Sequence, residues 1–166
     1  MIKKLLALFY GLMGMQLLYA QEHKWAFGFY ADVQFEKDVT PASFGVQGKY
    51  DIGRHSAFQA QVHGRSTFVS VGGDYLFAIL DQKQNNFNVF LGAGVAQDFF
   101  NHGTFKDGDR VKDRASYFIG NGQIGLSYSF QPIPLSVYAG YKLKYNFDQD
   151  KVNPNFMMFG LRYHLW

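Results

Sequence analysis

Apolar and polar residues alternate with a period of two from position 25 to the end of the chain, and no long stretch has helical periodicity. Between Trp25 and Phe35, for example, the odd positions are apolar and the even ones are small or polar. Eight segments share this pattern, and each predicts one β-strand, most of them near the ~9–11 residues with which a tilted strand crosses a bilayer. The predicted strands span residues 25–35, 43–52, 57–63, 69–79, 87–99, 118–130, 135–147 and 157–165.

The connections between these segments also differ in character. Three are short and turn-like, three are longer or more charged, and the short link around 65–67 breaks the alternation between them. The short ones are 53–56, 81–86 and 131–134, and the longer ones are 36–41, 101–116 and 148–154. This order predicts strands that run up and down, with both chain ends on the side of the short turns and residues 101–116 as the largest surface loop.

The alternation leaves open which face of the sheet is apolar. A soluble secreted barrel would turn the apolar row inward, whereas a membrane barrel turns it toward lipid. The chain has 18 Phe, 11 Tyr and 18 Gly but only 17% charged residues. The apolar rows carry roughly sixteen Phe and Tyr rings, too many for an eight-stranded barrel, whose interior is only just filled by side chains. We therefore predict an all-β fold: a single closed antiparallel up-and-down transmembrane β-barrel of about eight strands.

The first twenty residues have the composition of an export signal. Lys3 and Lys4 form a short basic region, an apolar run of roughly 14 residues follows, and Ala20 precedes the expected cleavage site. The alternative is an N-terminal membrane anchor, but the run is shorter than the ~20 residues of a spanning helix. We expect residues 1–20 to be a cleaved signal peptide and residues 21–166 to be the barrel domain.

Charge and cysteine content exclude several classes of function. The net charge is +3, and without Lys3 and Lys4 it becomes 3 − 2, or +1, with no basic run that would bind nucleic acid. Cysteine is absent, which excludes disulfides, thiolate metal sites and an acylated cysteine. No phosphate loop or nucleotide fingerprint is present, so we expect no cofactor.

Charges of both signs lie on the row that faces the lumen, where they are unfavourable unless they pair. We expect a polar network, with Lys49, Asp51, Arg162 and His164 low in the barrel, Asp74 and Lys142 in the middle, and Asp32, Arg65, Asp98 and Lys144 near the outer mouth; His63 lies on the same row. A sealed, hydrogen-bonded core is favoured over a narrow ion path, since eight strands leave interior space only for side chains.

Catalytic and metal sites have weak candidates only. His63 near Ser66, and His102 after Asn101, lack a carboxylate in a recognised catalytic arrangement. Asp107, Asp109 and Asp113 suggest calcium, but basic residues intervene and the spacing of a known calcium loop is absent. We predict no catalytic residue and no metal site.

The chain resembles the small outer-membrane β-barrels of the OmpA/OmpX-like, or "porin family", type, and looks closest to the versions common in Bacteroidota. The resemblance rests on the signal segment, the alternating strands and the last strand, where Gly160-Leu161-Arg162-Tyr163-His164-Leu165 matches the Gly-Leu-x-Tyr-x-Phe form with Leu in place of Phe and Trp166 one step beyond.

This resemblance implies an integral outer-membrane location in a Gram-negative cell and contact with membrane lipid and lipopolysaccharide. It also implies an assembly signal at Tyr163, Leu165 and Trp166 that the barrel-assembly machinery reads. The expected role is structural or surface-interacting, with outer loops that bind an extracellular ligand. The alternatives are a narrow porin-like channel for ions or small solutes and, less favoured, a lipid-modifying enzyme.

Overall fold

A computed structural model describes residues 24–35, 41–82, 84–106, 109–130 and 133–165, with the backbone alone at 102–106 and 109–113. The described residues form eight strands in chain order. They are β1 Trp25–Gln34, β2 Ala42–Asp51, β3 Ser56–Arg65, β4 Phe68–Ala78, β5 Phe87–Lys106, β6 Asp109–Phe130, β7 Leu135–Asn146 and β8 Lys151–His164. Within these residues no helix is long and apolar enough to cross a membrane.

The eight strands close into one antiparallel barrel. Each strand pairs with the next in sequence, and β1 closes the sheet by pairing with β8, so that Phe29 lies opposite both Val46 and Leu161. Closure leaves no unpaired edge strand. The predicted closed up-and-down barrel of eight strands is therefore confirmed.

The outer face of the barrel is apolar. Its side chains alternate with buried ones along each strand, as the burial of β3 and β4 shows. Phe29 and Phe44 are each 69% exposed and Val46 is 58% exposed, and the same face carries aliphatic and aromatic side chains from all eight strands. An apolar surface this extensive is unfavourable in water and suits the hydrocarbon core of a bilayer.

Large rings also point into the barrel, although most aromatic side chains are on the outer face. Tyr30, Phe90 and Tyr138 are each at most 5% exposed on the inner wall. Glycines on neighbouring strands make room for them: a Cβ at Gly160 would lie 2.0 Å from Cε1 of Tyr138. The lumen is thus filled by a few large side chains laid over glycines, and not by small residues alone.

Three strands, β5, β6 and β8, extend well beyond their predicted ends. The expected loop 101–116 is wrong as a loop, because β5 and β6 continue as a paired ribbon from Phe87 opposite Tyr128 to Lys106 opposite Asp109. Strand β8 begins at Lys151 rather than at 157, with a register shift where it faces Lys142 and Lys144. Beyond the apolar band a strand has no apolar row, so the period-two signal ends before the hydrogen-bonded ladder does.

The two ends of the barrel differ. We call the end that holds the start of β1, the end of β8 and the short links after β2, β4 and β6 the turn end, and the opposite end, with the β5–β6 ribbon, the loop end. Aromatic pairs lie at both: Trp25 and Tyr50 at the turn end (ring centroids 4.6 Å apart), and Phe118 and Phe147 at the loop end (5.4 Å). Such rings suit the two membrane interfaces.

Candidate functional site: the lumen network and the loop-end cavity

A buried carboxylate, that of Asp32 on β1, is the centre of a group of contacts in the half of the lumen nearer the loop end. Its Oδ1 accepts a hydrogen bond of 2.9 Å from the Tyr30 hydroxyl, and its Oδ2 lies 2.7 Å from Nζ of Lys144 on β7. Lys142, fully buried, donates to the Tyr30 hydroxyl at 2.6 Å. One carboxylate, one hydroxyl and two ammonium groups therefore satisfy each other across the β7, β8 and β1 wall, as buried charges require.

Arg162 of β8 is the centre of a second group of contacts. Its Nε donates to Oε1 of Gln47 at 3.2 Å, another guanidinium nitrogen donates to Oε1 of Gln59, and the guanidinium carbon lies 3.9 Å from the ring centroid of Tyr138. The Tyr138 hydroxyl also donates to Gln47, at 2.8 Å. The guanidinium is thereby held from three directions across the lumen.

A chain of amides continues from this group to a second carboxylate. Gln59 donates to Oε1 of Gln61 at 3.0 Å, and Gln61 donates to Oδ2 of Asp74 at 2.8 Å. Arg162 and Asp74 are thus connected through two neutral side chains without touching each other.

The turn end has its own polar contacts. Lys49 lies 2.6 Å from Oδ1 of the half-buried Asp51 and donates to Oε1 of Gln82 at 2.7 Å. His164 shares a hydrogen bond of 2.8 Å with the hydroxyl of Ser136. These groups lie between the lumen and the turn end.

An apolar cluster interrupts the polar interior. It consists of Tyr30, Ala57, Leu76, Phe90, Tyr138 and Met158, each at most 5% exposed. Phe90 and Tyr138 meet edge to face at 5.9 Å, and a Cβ on Gly92 would lie 2.7 Å from Cδ2 of Leu76. The cluster occupies lumen cross-section that a channel would need.

One wall of the lumen, formed by β4, β5 and β6, holds polar atoms that lack a partner in the described part of the chain. They are Oδ1 of Asp74, Oδ1 of Asp98, Oδ1 of Asn121 and both amide atoms of Gln123. Buried polar atoms of this kind are normally satisfied by internal water. We call this wall of β4, β5 and β6 the polar wall; internal water would satisfy its atoms.

At the loop end the lumen widens into a cavity of about 280 Å³. Its charged lining is formed by Asp32, Asp98, Arg65 and Lys144, and neutral polar groups come from the tops of β1, β7 and β8. Aromatic side chains complete the wall; Phe100 packs against both Phe68 and Tyr117, at centroid distances of 4.9 and 5.7 Å. The cavity combines charges, amides and rings in one concave surface, as ligand pockets do.

The predicted lumen residues form three groups of contacts in the structure. Asp32 and both lysines of β7 meet in the group nearer the loop end, Arg162 and Asp74 belong to the amide chain, and Lys49 pairs with Asp51 at the turn end. Arg65 is exposed at the rim of the cavity, with its guanidinium 5.9 Å from the Phe68 ring centroid.

Five neutral residues of the network were missed in the sequence, where only charges were considered. They are Tyr30, Gln47, Gln59, Gln61 and Tyr138. Each stands on the inward parity of its strand, so the period-two pattern held the signal that would have found them.

Ser43, His63 and Asp32 meet in an arrangement that the sequence spacing did not suggest. The Ser43 hydroxyl lies 2.8 Å from Nδ1 of His63, whose Nε2 lies 4.0 Å from Oδ2 of Asp32. The second distance is too long for a hydrogen bond, and Oδ2 is already paired with Lys144. The sequence candidate Ser66 does not take part in this group, and the side chain of His102 lies outside the described part of the chain.

The remaining predicted sites lie at the surface or beyond the described residues. Tyr163 and Leu165 are 46% and 42% exposed at the turn end, while Trp166 and Asp107 lie outside the described residues. Among the residues that are described, no three histidine or carboxylate side chains gather closely enough to hold a metal ion.

Comparisons with known proteins agree with this fold. No protein-family profile and no curated protein matches the sequence. The structure is similar to the N-terminal β-barrel domain of Pseudomonas aeruginosa OprF, with a TM-score of 0.65 at 12% identity over 84% of this chain and 97% of that one. It is also similar to Neisserial surface protein A, with a TM-score of 0.58 at 17% identity over 87% and 98% of the two chains.

A third similar structure is Ail, the attachment invasion locus protein of Yersinia pestis, in complex with the heparin analogue sucrose octasulfate. The TM-score is 0.54 at 15% identity, over 86% of this chain and 97% of Ail. All three are small eight-stranded outer-membrane β-barrels. The fold of this chain is therefore that of a small outer-membrane β-barrel, as the resemblance in its sequence implied, whereas the closer likeness to Bacteroidota versions stays a prediction.

Proposed function

We propose that the chain is an integral outer-membrane protein of a Gram-negative cell, with a packed lumen, a loop end that faces outward, and a structural or surface-interaction role. The observation that carries the packed lumen is the meeting of Arg162, Gln47, Gln59 and Tyr138 across the barrel, directly beside the apolar cluster. These side chains fill a cross-section that is only just wide enough for them in an eight-stranded barrel.

Three features support the location. The apolar outer band suits lipid, the fold is shared with outer-membrane barrels, and residues 1–20 have the composition of an export signal. Membrane lipid and lipopolysaccharide would surround the band. The assembly machinery would read the C-terminal strand at Tyr163, Leu165 and Trp166, of which the first two present exposed side chains.

The surface role draws on the loop end. The β5–β6 ribbon projects 20- and 22-residue strands well past the apolar band, and Ail, a barrel of the same fold named for attachment, binds a heparin analogue. An outward ribbon over a rigid barrel is the arrangement in which binding segments are commonly presented.

A narrow channel is the second candidate, and the unpaired atoms of Asp74, Asp98, Asn121 and Gln123 favour it, because water held there would form part of a path. That wall ends at Leu76 and Phe90, which are buried and apolar, so the sealed lumen is the better reading. We do not propose an enzyme, because the contact between His63 and Asp32 is too long to orient a general base.

Export and ribbon deletion test this proposal. In a Gram-negative host the full chain should fractionate with the outer membrane and show the heat-dependent gel shift of a folded barrel. Replacing residues 103–112 by a short turn should leave the outer-membrane fractionation and the gel shift unchanged. It should abolish attachment of the cells to any surface to which cells with the native chain attach. A variant with the same ten residues in scrambled order controls for length. Recovery from another fraction, or unchanged attachment after deletion, would contradict the proposal.

A further inference from the structure

We propose that the loop-end cavity binds a neutral sugar unit, with the Asp98 carboxylate as the group that recognises its hydroxyls. The inference rests on the proposed function, since it names the chemistry of a ligand for the outward-facing end. It starts from the state of Asp98, which lines the cavity and is only 6% exposed.

Asp98 is held ready to accept a hydrogen bond. Ser70 lies directly opposite Asp98 on the neighbouring strand β4 and is 1% exposed, so the carboxylate is enclosed on that side. Its Oδ1 has no partner among the described residues. A carboxylate accepts hydrogen bonds and donates none, so its partner is a donor: internal water while the cavity holds no ligand, and a hydroxyl or an ammonium group of a ligand that displaces this water.

The surrounding charges decide between these two donors. Asp32 is already paired with Lys144 at 2.7 Å, and Arg65 stands at the rim. The two carboxylates and two cations of the lining balance formally, so the cavity has no net charge to compensate an entering ammonium group for its lost hydration. A neutral polyhydroxyl ligand supplies the same hydrogen-bond donors without a charge to desolvate.

The rest of the wall suits the same ligand. The Phe68, Phe100 and Tyr117 rings form one packed aromatic surface, against which the C–H face of a sugar ring can lie. Asn153 and Gln149 add amide groups at the mouth. A volume of about 280 Å³ lies just below the ~300–1,000 Å³ of drug-sized sites and suits a single sugar unit.

The site is closed from below. The polar wall leads from Asp98 past Asn121 to Gln123 and stops at Leu76 and Phe90. A ligand would enter and leave by the loop end alone. The cavity is therefore a binding pocket that faces one side of the membrane and not a stage of a transport path.

The test is titration of the protein, purified from membranes in a detergent without a sugar head group, with methyl glycosides of glucose, galactose, mannose and N-acetylglucosamine. Binding is followed by saturation-transfer NMR at millimolar concentrations, and a glycan array with the same protein follows. Saturation transfer from the protein to one of the glycosides would assign the site to a free sugar. A response confined to the array would assign it to the terminal unit of a longer glycan.

Asp98→Asn should weaken that binding by about tenfold to hundredfold, because a hydrogen bond to a charged group contributes roughly 1.5–3 kcal/mol and each 1.4 kcal/mol is a factor of ten. Asn153→Trp, which fills the mouth from an exposed position, should abolish binding even if Asp98→Asn fails to fold. Asp81→Asn, at the turn end, is the matched control and should bind normally.

No response of the native protein to any sugar, or equal binding by Asp98→Asn, would overturn the inference. Each sample is first checked for the heat-dependent gel shift and for insertion into lipid vesicles. A chain that inserts but binds no sugar refutes the sugar site alone, whereas a chain that does not insert refutes the proposed function.

Discussion

Lys142 on β7 and Tyr30 on β1 meet inside the barrel through a hydrogen bond of 2.6 Å from the ammonium group to the hydroxyl, and both side chains are buried. The Tyr30 hydroxyl in turn donates a hydrogen bond of 2.9 Å to Oδ1 of Asp32. One hydroxyl thus connects a buried cation to a buried anion across a strand that lies between β7 and β1.

Removing that hydroxyl should destabilise the barrel. Tyr30→Phe leaves the Lys142 ammonium without this acceptor, and an unsatisfied buried group lowers the free energy of unfolding by about 1–3 kcal/mol. Urea unfolding in lipid vesicles, followed by the gel shift, measures the loss. Tyr141→Phe is the control, because Tyr141 precedes Lys142 in β7 and its side chain lies on the lipid-facing side of the barrel. This variant should change the free energy of unfolding by less than about 0.5 kcal/mol. Equal effects of the two variants would refute the buried bridge.

Gly160 should not tolerate a side chain. A Cβ there would lie 2.0 Å from Cε1 of Tyr138, and such overpacking costs about 1–3 kcal/mol. Gly122→Ala, where no atom lies within 4 Å of the added carbon, is the control and should be close to neutral in the same unfolding measurement.

The clash itself can be isolated with a double variant. Tyr138→Leu removes the ring, so Gly160→Ala should be less harmful in that background than in the native chain. If the losses in free energy of unfolding add within about 0.5 kcal/mol, the two residues are independent. That result would contradict the close packing of the Tyr138 ring against Gly160.

The strands could be predicted because lipid and lumen impose opposite demands on successive side chains. From Trp25 to Ala31 that alternation predicts which face each residue occupies, and the pairing of Phe29 with Val46 follows it. The ribbon of β5 and β6 could not be predicted in this way. Past Asn101 both faces of the ribbon lie outside the apolar band, so its polar sequence reads as a loop while its backbone still pairs.

The sequence predicted which charged residues face the lumen and at what height, but not which groups they contact. Asp32 and Lys144 were placed together at the same height, and they pair. Arg162 was expected low in the barrel with Lys49, Asp51 and His164, but it bonds to Gln47 and Gln59, which are far away in sequence. Which neutral group meets which charge depends on the stagger of the closed sheet, and period two carries no information about that stagger.

The apolar outer face predicts that the loss of stability caused by a charged substitution depends on its depth in the bilayer. Val46→Arg, in the middle of β2, should lower the free energy of unfolding in vesicles by about 2–4 kcal/mol, whereas Ile52→Arg, just past the turn end of β2, should cost about 0–1 kcal/mol. Both residues are at least half exposed on the outer face. Equal losses at the two positions would contradict a bilayer around this band.

The central claim is that the lumen is sealed by Arg162, its glutamine partners and the apolar cluster around Phe90. Single-channel recording in a planar bilayer tests it most directly, using protein whose insertion and heat-dependent gel shift have been verified. The account predicts a silent bilayer. Discrete, reproducible openings whose conductance changes with Arg162→Met would contradict it and make passage of ions or small solutes the function.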